Sequence, residues 1–158
     1  MLEIKKLNVS VEENRILNDL DLSIGTGEVH AIMGPNGSGK STIAHTLAGN
    51  SNYIVDSGKA SFKGKDLFEL EPSERSLEGL FLAFQYPIEL PGVSNASYLK
   101  QILNVHRKYE GKDPIDAGEF LKILKEKSNR LNIPMEIHSR FVNTGFSGGE
   151  KKKNEVLQ

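Results

Sequence analysis

One octapeptide constrains this chain more than any other feature: Gly34-Pro35-Asn36-Gly37-Ser38-Gly39-Lys40-Ser41, a glycine, four residues, then Gly-Lys-Ser. Glycines permit turns that a Cβ would obstruct, so successive backbone N–H groups can converge on the oxygens of one phosphate. A helix opening near Lys40 adds the positive end of its dipole to that cradle. Lys40 supplies a mobile cation for β- and γ-phosphates, and the Ser41 hydroxyl, with Thr42 next to it, stands where it can ligate Mg²⁺. The bland alternative is a Gly-rich turn with a solvated lysine. The flanks argue against it, because the motif requires a strand before the loop and a helix after it. Glu28 to Met33 is an apolar-leaning run into Gly34, and Ser41 to Ala48 reads as a helix stopped by Gly49.

The rest of the pattern builds an α/β chain around this loop. Leu2, Ile4, Leu7, Val9 and Val11 alternate with polar residues, and Leu20, Leu22 and Ile24 do so again after a turn at Glu12 to Asn14, which predicts two half-buried strands. Further strands are expected at Lys59 to Lys63, bracketed by Gly58 and Gly64, and at Gly79 to Gln85, whose continuous apolar character suits an interior strand. Beyond Pro91 the period becomes helical through Tyr98, Ile102 and Val105, then Phe120, Ile123, Leu124 and Leu131, with Lys108 to Asp116 as the loop between two helices. The expected organisation is a β region with the phosphate loop over 1–91, a helical subdomain over 92–142, and a loop with the start of a helix over 143–158.

Composition removes several function classes. With 20 basic and 21 acidic residues in 158, no overall field draws nucleic acid or an anionic membrane. The absence of cysteine excludes disulfides, thiolate metal sites and thiol nucleophiles, and suits a cytoplasmic protein. No apolar run approaches the roughly 20 residues that span a bilayer, so direct membrane insertion is not expected.

A second candidate phosphate element is Phe146-Ser147-Gly148-Gly149-Glu150, where Ser147 and Glu150 have the spacing of a capping box. Alone it is a well-capped helix followed by a solvated face at Lys151 to Lys153. Paired with the upstream loop, two exposed glycines at a helix start make a second surface of backbone N–H groups for an anion. This pairing resembles the signature motif of the ATP-binding cassette ATPases, P-loop proteins with an antiparallel β region and a helical subdomain. The resemblance covers the whole chain. It implies ATP and Mg²⁺ as cofactors, with nucleotide contacts at Gly34 to Thr42, Gln85, Ser147, Gly148, Gly149 and Glu150, and Mg²⁺ contacts at Ser41 and Gln85. It also implies an ATP-dependent head-to-tail homodimer in which the signature closes over ATP on the partner's P-loop. The stretches Phe81-Leu82-Ala83-Phe84-Gln85-Tyr86-Pro87 and Glu89-Leu90-Pro91-Gly92-Val93-Ser94 are similar to those of the cassette ATPases of the SUF iron-sulfur cluster assembly system. That similarity implies the scaffold proteins SufB and SufD as partners, met through the helical segment and the Gln85 region. An ATPase subunit of a transporter, or a non-hydrolysing nucleotide-binding fragment, is the alternative.

Two departures from the cassette pattern matter. Many members stack adenine on an aromatic residue where this chain has Val11 or its neighbours, which implies weak base selectivity. Glu150 stands where transporter signatures usually carry glutamine, a substitution shared by the SUF-type proteins. The family's hydrolytic step needs an Asp-Glu strand end and a later histidine. No Asp-Glu pair occurs in the sequence, and His30, His45, His106 and His138 do not hold the histidine's place in chain order. The reading is therefore of a partial cassette domain with an incomplete core: binding is expected, and a complete catalytic set is not.

Overall fold

The alternation in the first 24 residues resolves into a hairpin, β1 (Leu2–Val11) and β2 (Asn14–Ile24). The computed structural model describes residues 1–158 and divides them into two compact units, Met1–Leu82 and Ala83–Gln158. In the first unit, β3 (Tyr53–Phe62) pairs with the far edge of β1, and the two-residue β4 (Lys65–Asp66) closes an antiparallel sheet ordered β2-β1-β3-β4. Central β1 therefore buries Ile4, Leu7 and Val9 almost completely. They meet Ile43 and Leu47 from helix α1 (Lys40–Ala48), together with Leu17, Phe62 and Leu67. Each such side chain contributes about 1.5 to 3 kcal/mol of transfer free energy. This packing anchors the helix behind the phosphate loop to the sheet.

Gly58 does not bracket a strand, as the sequence suggested, but lies inside β3. A Cβ there would sit 2.3 Å from the Lys6 carbonyl oxygen, so only glycine permits this approach of β3 to β1. Lys6 and Asp19 take positive φ at the same level, and buried Asn8 ties the irregularity together by donating to the Lys6 carbonyl, Asp19 Oδ1 and Ser57 Oγ. Helix α2 (Pro72–Leu77) ends the unit's regular structure and carries the buried Arg75.

Two expected strands do not form. Residues 28–33 and 79–85 have no ladder partner, and Val29 and Met33 are 97% and 88% exposed. Their apolar composition suits an interior strand, but strand structure is completed by a neighbour's N–H and C=O groups. No segment of residues 1–158 supplies them.

In the second unit, β5 (Leu90–Ser94) pairs antiparallel with β6 (Phe141–Val142). Between them lie α3 (Asn95–Tyr109) and α4 (Ala117–Leu131), the two expected helices. Ser94 caps α3. Asp116 caps α4 through the Gly118 and Glu119 N–H groups, which hold its carboxyl below the ordinary range. Leu99, Ile115, Phe120 and Leu124 form the core of this pair. Helix α5 (Gly148–Leu157) follows a loop whose Phe146 packs with Ile133 and Ile137. No helix is long and apolar enough to cross a membrane.

Candidate functional site

The phosphate loop is set by its conformationally demanding glycines. Gly37 and Gly39 have φ of 81° and 89°, left-handed values that side chains with a Cβ rarely adopt. A Cβ on Gly39 would also lie 2.7 Å from Leu17 Cδ2, so the loop is seated directly on β2. Gly39 is the N-cap of α1 and no side chain satisfies the cap. The first intrahelical bond runs from the Ile43 N–H to the Gly39 carbonyl, which leaves the N–H groups of Lys40, Ser41 and Thr42 for an external acceptor. Pro35 and Ser38 close the front of the loop, the Ser38 N–H donating to the Pro35 carbonyl, with Asn36 exposed at its tip.

Lys40 folds back over this loop and donates to the carbonyls of Gly34 and Pro35 at 2.9 and 2.6 Å. Both bonds are exposed and can be exchanged for phosphate oxygens. Ser41 presents its hydroxyl to solvent, whereas the Thr42 side chain is buried, so Thr42 can offer a ligand only its backbone N–H. No group of three or more acidic or histidine side chains is arranged to hold a metal. The exposed Ser41 hydroxyl is a single oxygen donor of the kind that suits Mg²⁺, an ion that keeps most of its ligands as water or phosphate oxygens.

The far end of α1 is held by a residue the sequence did not single out. Arg75 is 7% exposed, and its guanidinium donates to the carbonyls of Thr46 and Leu47, at 3.0 Å each, and of Leu70, at 2.9 Å. The Thr46 and Leu47 carbonyls belong to the last turn of α1, where a cation also opposes the helix dipole. Burial pushes the Arg75 pKa down from its ordinary value.

In the second unit, Ser147 and Glu150 make both bonds of the expected capping box. The Ser147 N–H donates to Glu150 Oε2 at 2.6 Å, and the Glu150 N–H donates to Ser147 Oγ at 3.3 Å. The N–H groups of Gly148 and Gly149, in the first turn, have no acceptor within the helix. Open space lies where a Cβ of either glycine would be. The bond from the Ser147 N–H, and after it one from the Ser147 hydroxyl, hold the Glu150 carboxyl below its ordinary range. Beside this face, Ser147, Gly149 and Glu150 border a cavity of about 330 Å³ that also touches Asn132 and Lys153.

The three lysines after the signature are not a freely solvated face. Lys151 pairs with Glu89 at 2.7 Å, Lys152 donates to the carbonyls of Phe84 and Gln85 at 3.1 and 2.7 Å, and Lys153 donates to the Asn132 carbonyl at 3.1 Å. Buried Glu155 accepts from the Phe84 N–H at 3.2 Å. Gln85, expected at a strand end, lies instead in an irregular segment whose backbone is fastened to α5 while its side chain is exposed. A buried amide network continues inward. Asn154 of α5 exchanges two bonds with Asn95 of α3, at 2.8 and 3.1 Å, and donates to Asn143, which donates to the Ile88 carbonyl. Asn95 also meets His138 Nδ1, and His138 Nε2 meets Ser128 Oγ, so burial holds this imidazole neutral by lowering its pKa. The signal for this network was Asn154 on the inward stripe of a helix, one turn beyond Glu150.

A phosphate loop and a glycine-opened helix start thus stand in one chain, in the order that the cassette resemblance implies. The family model for ABC transporters matches residues 17–158. The chain belongs to this family. It is 54% identical over all 158 residues to the probable ATP-dependent transporter SufC of Escherichia coli K12, of which it covers 64%. It is 52% identical, again over its full length, to the probable ATP-dependent transporter ycf16 of Trieres chinensis, of which it covers 63%. Among solved structures, a dimeric bacterial ABC transporter cassette, MJ0796, aligns with a TM-score of 0.76 at 20% identity, covering 99% of this chain and 68% of that one. The ABC ATPase fold of the chain follows from this likeness, and the resemblance to SufC extends from end to end.

Proposed function

We propose that this chain is the nucleotide-binding part of a SUF-type cassette ATPase that serves iron-sulfur cluster assembly in the cytoplasm. The observation that carries the reading is the start of α1, which no side chain caps and beside which the Lys40 ammonium is held only by two exposed carbonyls of the glycine loop. In this reading Gly34 to Thr42 cradle the phosphates of ATP, Ser41 and Gln85 contact Mg²⁺, and Ser147 to Glu150 close over ATP held by a second copy. The likeness to a cassette that was solved as a dimer supports the pairing. The SufC resemblance supports SufB and SufD as soluble partners, reached through the helical segment and the Gln85 region.

A transporter ATPase is the second reading, favoured by the word transporter in the names of both relatives. Affinity purification of the full chain separates the two: soluble SufB and SufD in the eluate support the SUF reading, and a membrane permease overturns it. Hydrolysis is a separate matter, because residues 1–158 hold no Asp-Glu pair. MgATP binding without phosphate release is the expected behaviour of these residues alone.

A further inference from the structure

Residues 84–89 form neither helix nor strand, yet side chains of α5 hold their backbone at successive groups. Glu155 accepts from the Phe84 N–H at 3.2 Å, and Lys152 donates to the carbonyls of Phe84 and Gln85 at 3.1 and 2.7 Å. Further on, Asn143 donates to the Ile88 carbonyl and Lys151 pairs with Glu89. All of these residues belong to the second unit. The two carbonyls that Lys152 holds lie in the peptide planes on either side of the Gln85 Cα. Because peptides are planar, fixing both planes fixes φ and ψ, and with them the direction in which the Gln85 side chain leaves the backbone. Glu155 is 5% exposed, and a carboxylate is costly at such a position unless it accepts a bond. Its spacing of three residues from Lys152 puts both on one side of α5.

We propose that Lys152 and Glu155 are positioning residues for Gln85: they clamp the backbone from which its exposed side chain reaches the Mg²⁺ of a bound nucleotide. The clamp rests on the reading above, in which Gln85 contacts Mg²⁺, and adds that α5 decides where that contact is made. Neither residue touches the metal in this role. Each acts through the peptides of Phe84 and Gln85, so its effect should vanish once the Gln85 side chain is gone.

The test is calorimetric titration of the full chain with ATP in the presence and absence of Mg²⁺, the readout being the ratio of the two affinities. Loss of one hydrogen-bonding contact at the metal lowers that ratio by roughly three- to tenfold. Gln85→Ala sets the size of the fall. Lys152→Met, which keeps the stem of an exposed side chain, and Glu155→Leu, which removes the acceptor, are expected to match it. Glu155→Gln still accepts from the Phe84 N–H and is expected to keep the parent's ratio. The double variant Gln85→Ala/Lys152→Met is expected to fall no further than Gln85→Ala alone, because residues that act through one contact are not additive. A fall in Gln85→Ala with none in Lys152→Met and Glu155→Leu overturns the clamp and leaves the Gln85 contact standing. An additive fall in the double variant also overturns it, and means that Lys152 acts on the nucleotide by its own charge. An unchanged ratio in Gln85→Ala overturns the Mg²⁺ reading of Gln85 itself, and the clamp with it.

Discussion

The Lys40 ammonium lies 2.6 Å from the carbonyl oxygen of Pro35, inside the loop where a nucleotide's phosphates are proposed to sit. A cation held only by two exposed carbonyls is poised to transfer to a better acceptor, because charge-assisted bonds to phosphate are about twice as strong as neutral ones. Lys40→Ala removes a hydrogen-bonded charge of about 1.5 to 3 kcal/mol and should weaken MgATP binding roughly ten- to hundredfold. Calorimetric titration checks this, and equal affinity of parent and variant removes Lys40 from the site.

Arg75 yields a prediction about stability. Replacing it with methionine keeps most of the apolar stem but strips donors from the carbonyls of Leu70, Thr46 and Leu47. With one or two of them stranded out of water, the expected loss is about 2 to 4 kcal/mol. Urea unfolding should show a lower midpoint with an unchanged slope. A midpoint shift below 0.3 M would mean that water replaces the guanidinium.

The contrast between Leu2–Val11 and 28–33 shows how far sequence patterning reaches. Both runs are strand-like by composition, and only the first is a strand, because β2 and β3 flank it on either side. Hydrophobic periodicity reports which face a segment wants to bury and does not report whether a neighbour completes its hydrogen bonds. Local signals fared better: the helix start near Lys40, its stop at Gly49, and the Ser147–Glu150 box are each formed within a few residues and were legible. Lys152 and Arg75 were not, since their acceptors are backbone carbonyls distant in sequence, which no side-chain pattern encodes.

His138 makes the second unit sensitive to acid. Its pKa is lowered by burial from an ordinary 6.5, so below that value the unfolded chain binds a proton that the folded one refuses. Stability from the neutral imidazole is therefore complete above about pH 6.5 and falls as pH drops from there towards the depressed folded value. In the network, the unprotonated Nδ1 accepts from Asn95, and a protonated ring would turn a donor against that amide. Urea midpoints of the parent should fall between pH 7 and pH 5, and those of His138→Gln should fall less. Parallel curves would show that the histidine does not titrate in this window.

Ser147 separates binding from pairing. Its hydroxyl caps α5 through the Glu150 N–H, and its side chain faces solvent. Ser147→Arg loses a cap of about 1 kcal/mol and puts a long side chain over the Gly148 and Gly149 N–H groups. The phosphate loop lies in the other unit of the chain and keeps its own donors. In the full chain, MgATP affinity of the monomer should stay within twofold of the parent, while sedimentation should show MgATP-driven dimers for the parent and none for the variant. Dimers of equal strength in both would mean that this helix start does not meet the second copy's nucleotide. Loss of MgATP affinity in the monomer would instead place the signature residues at the nucleotide of their own chain.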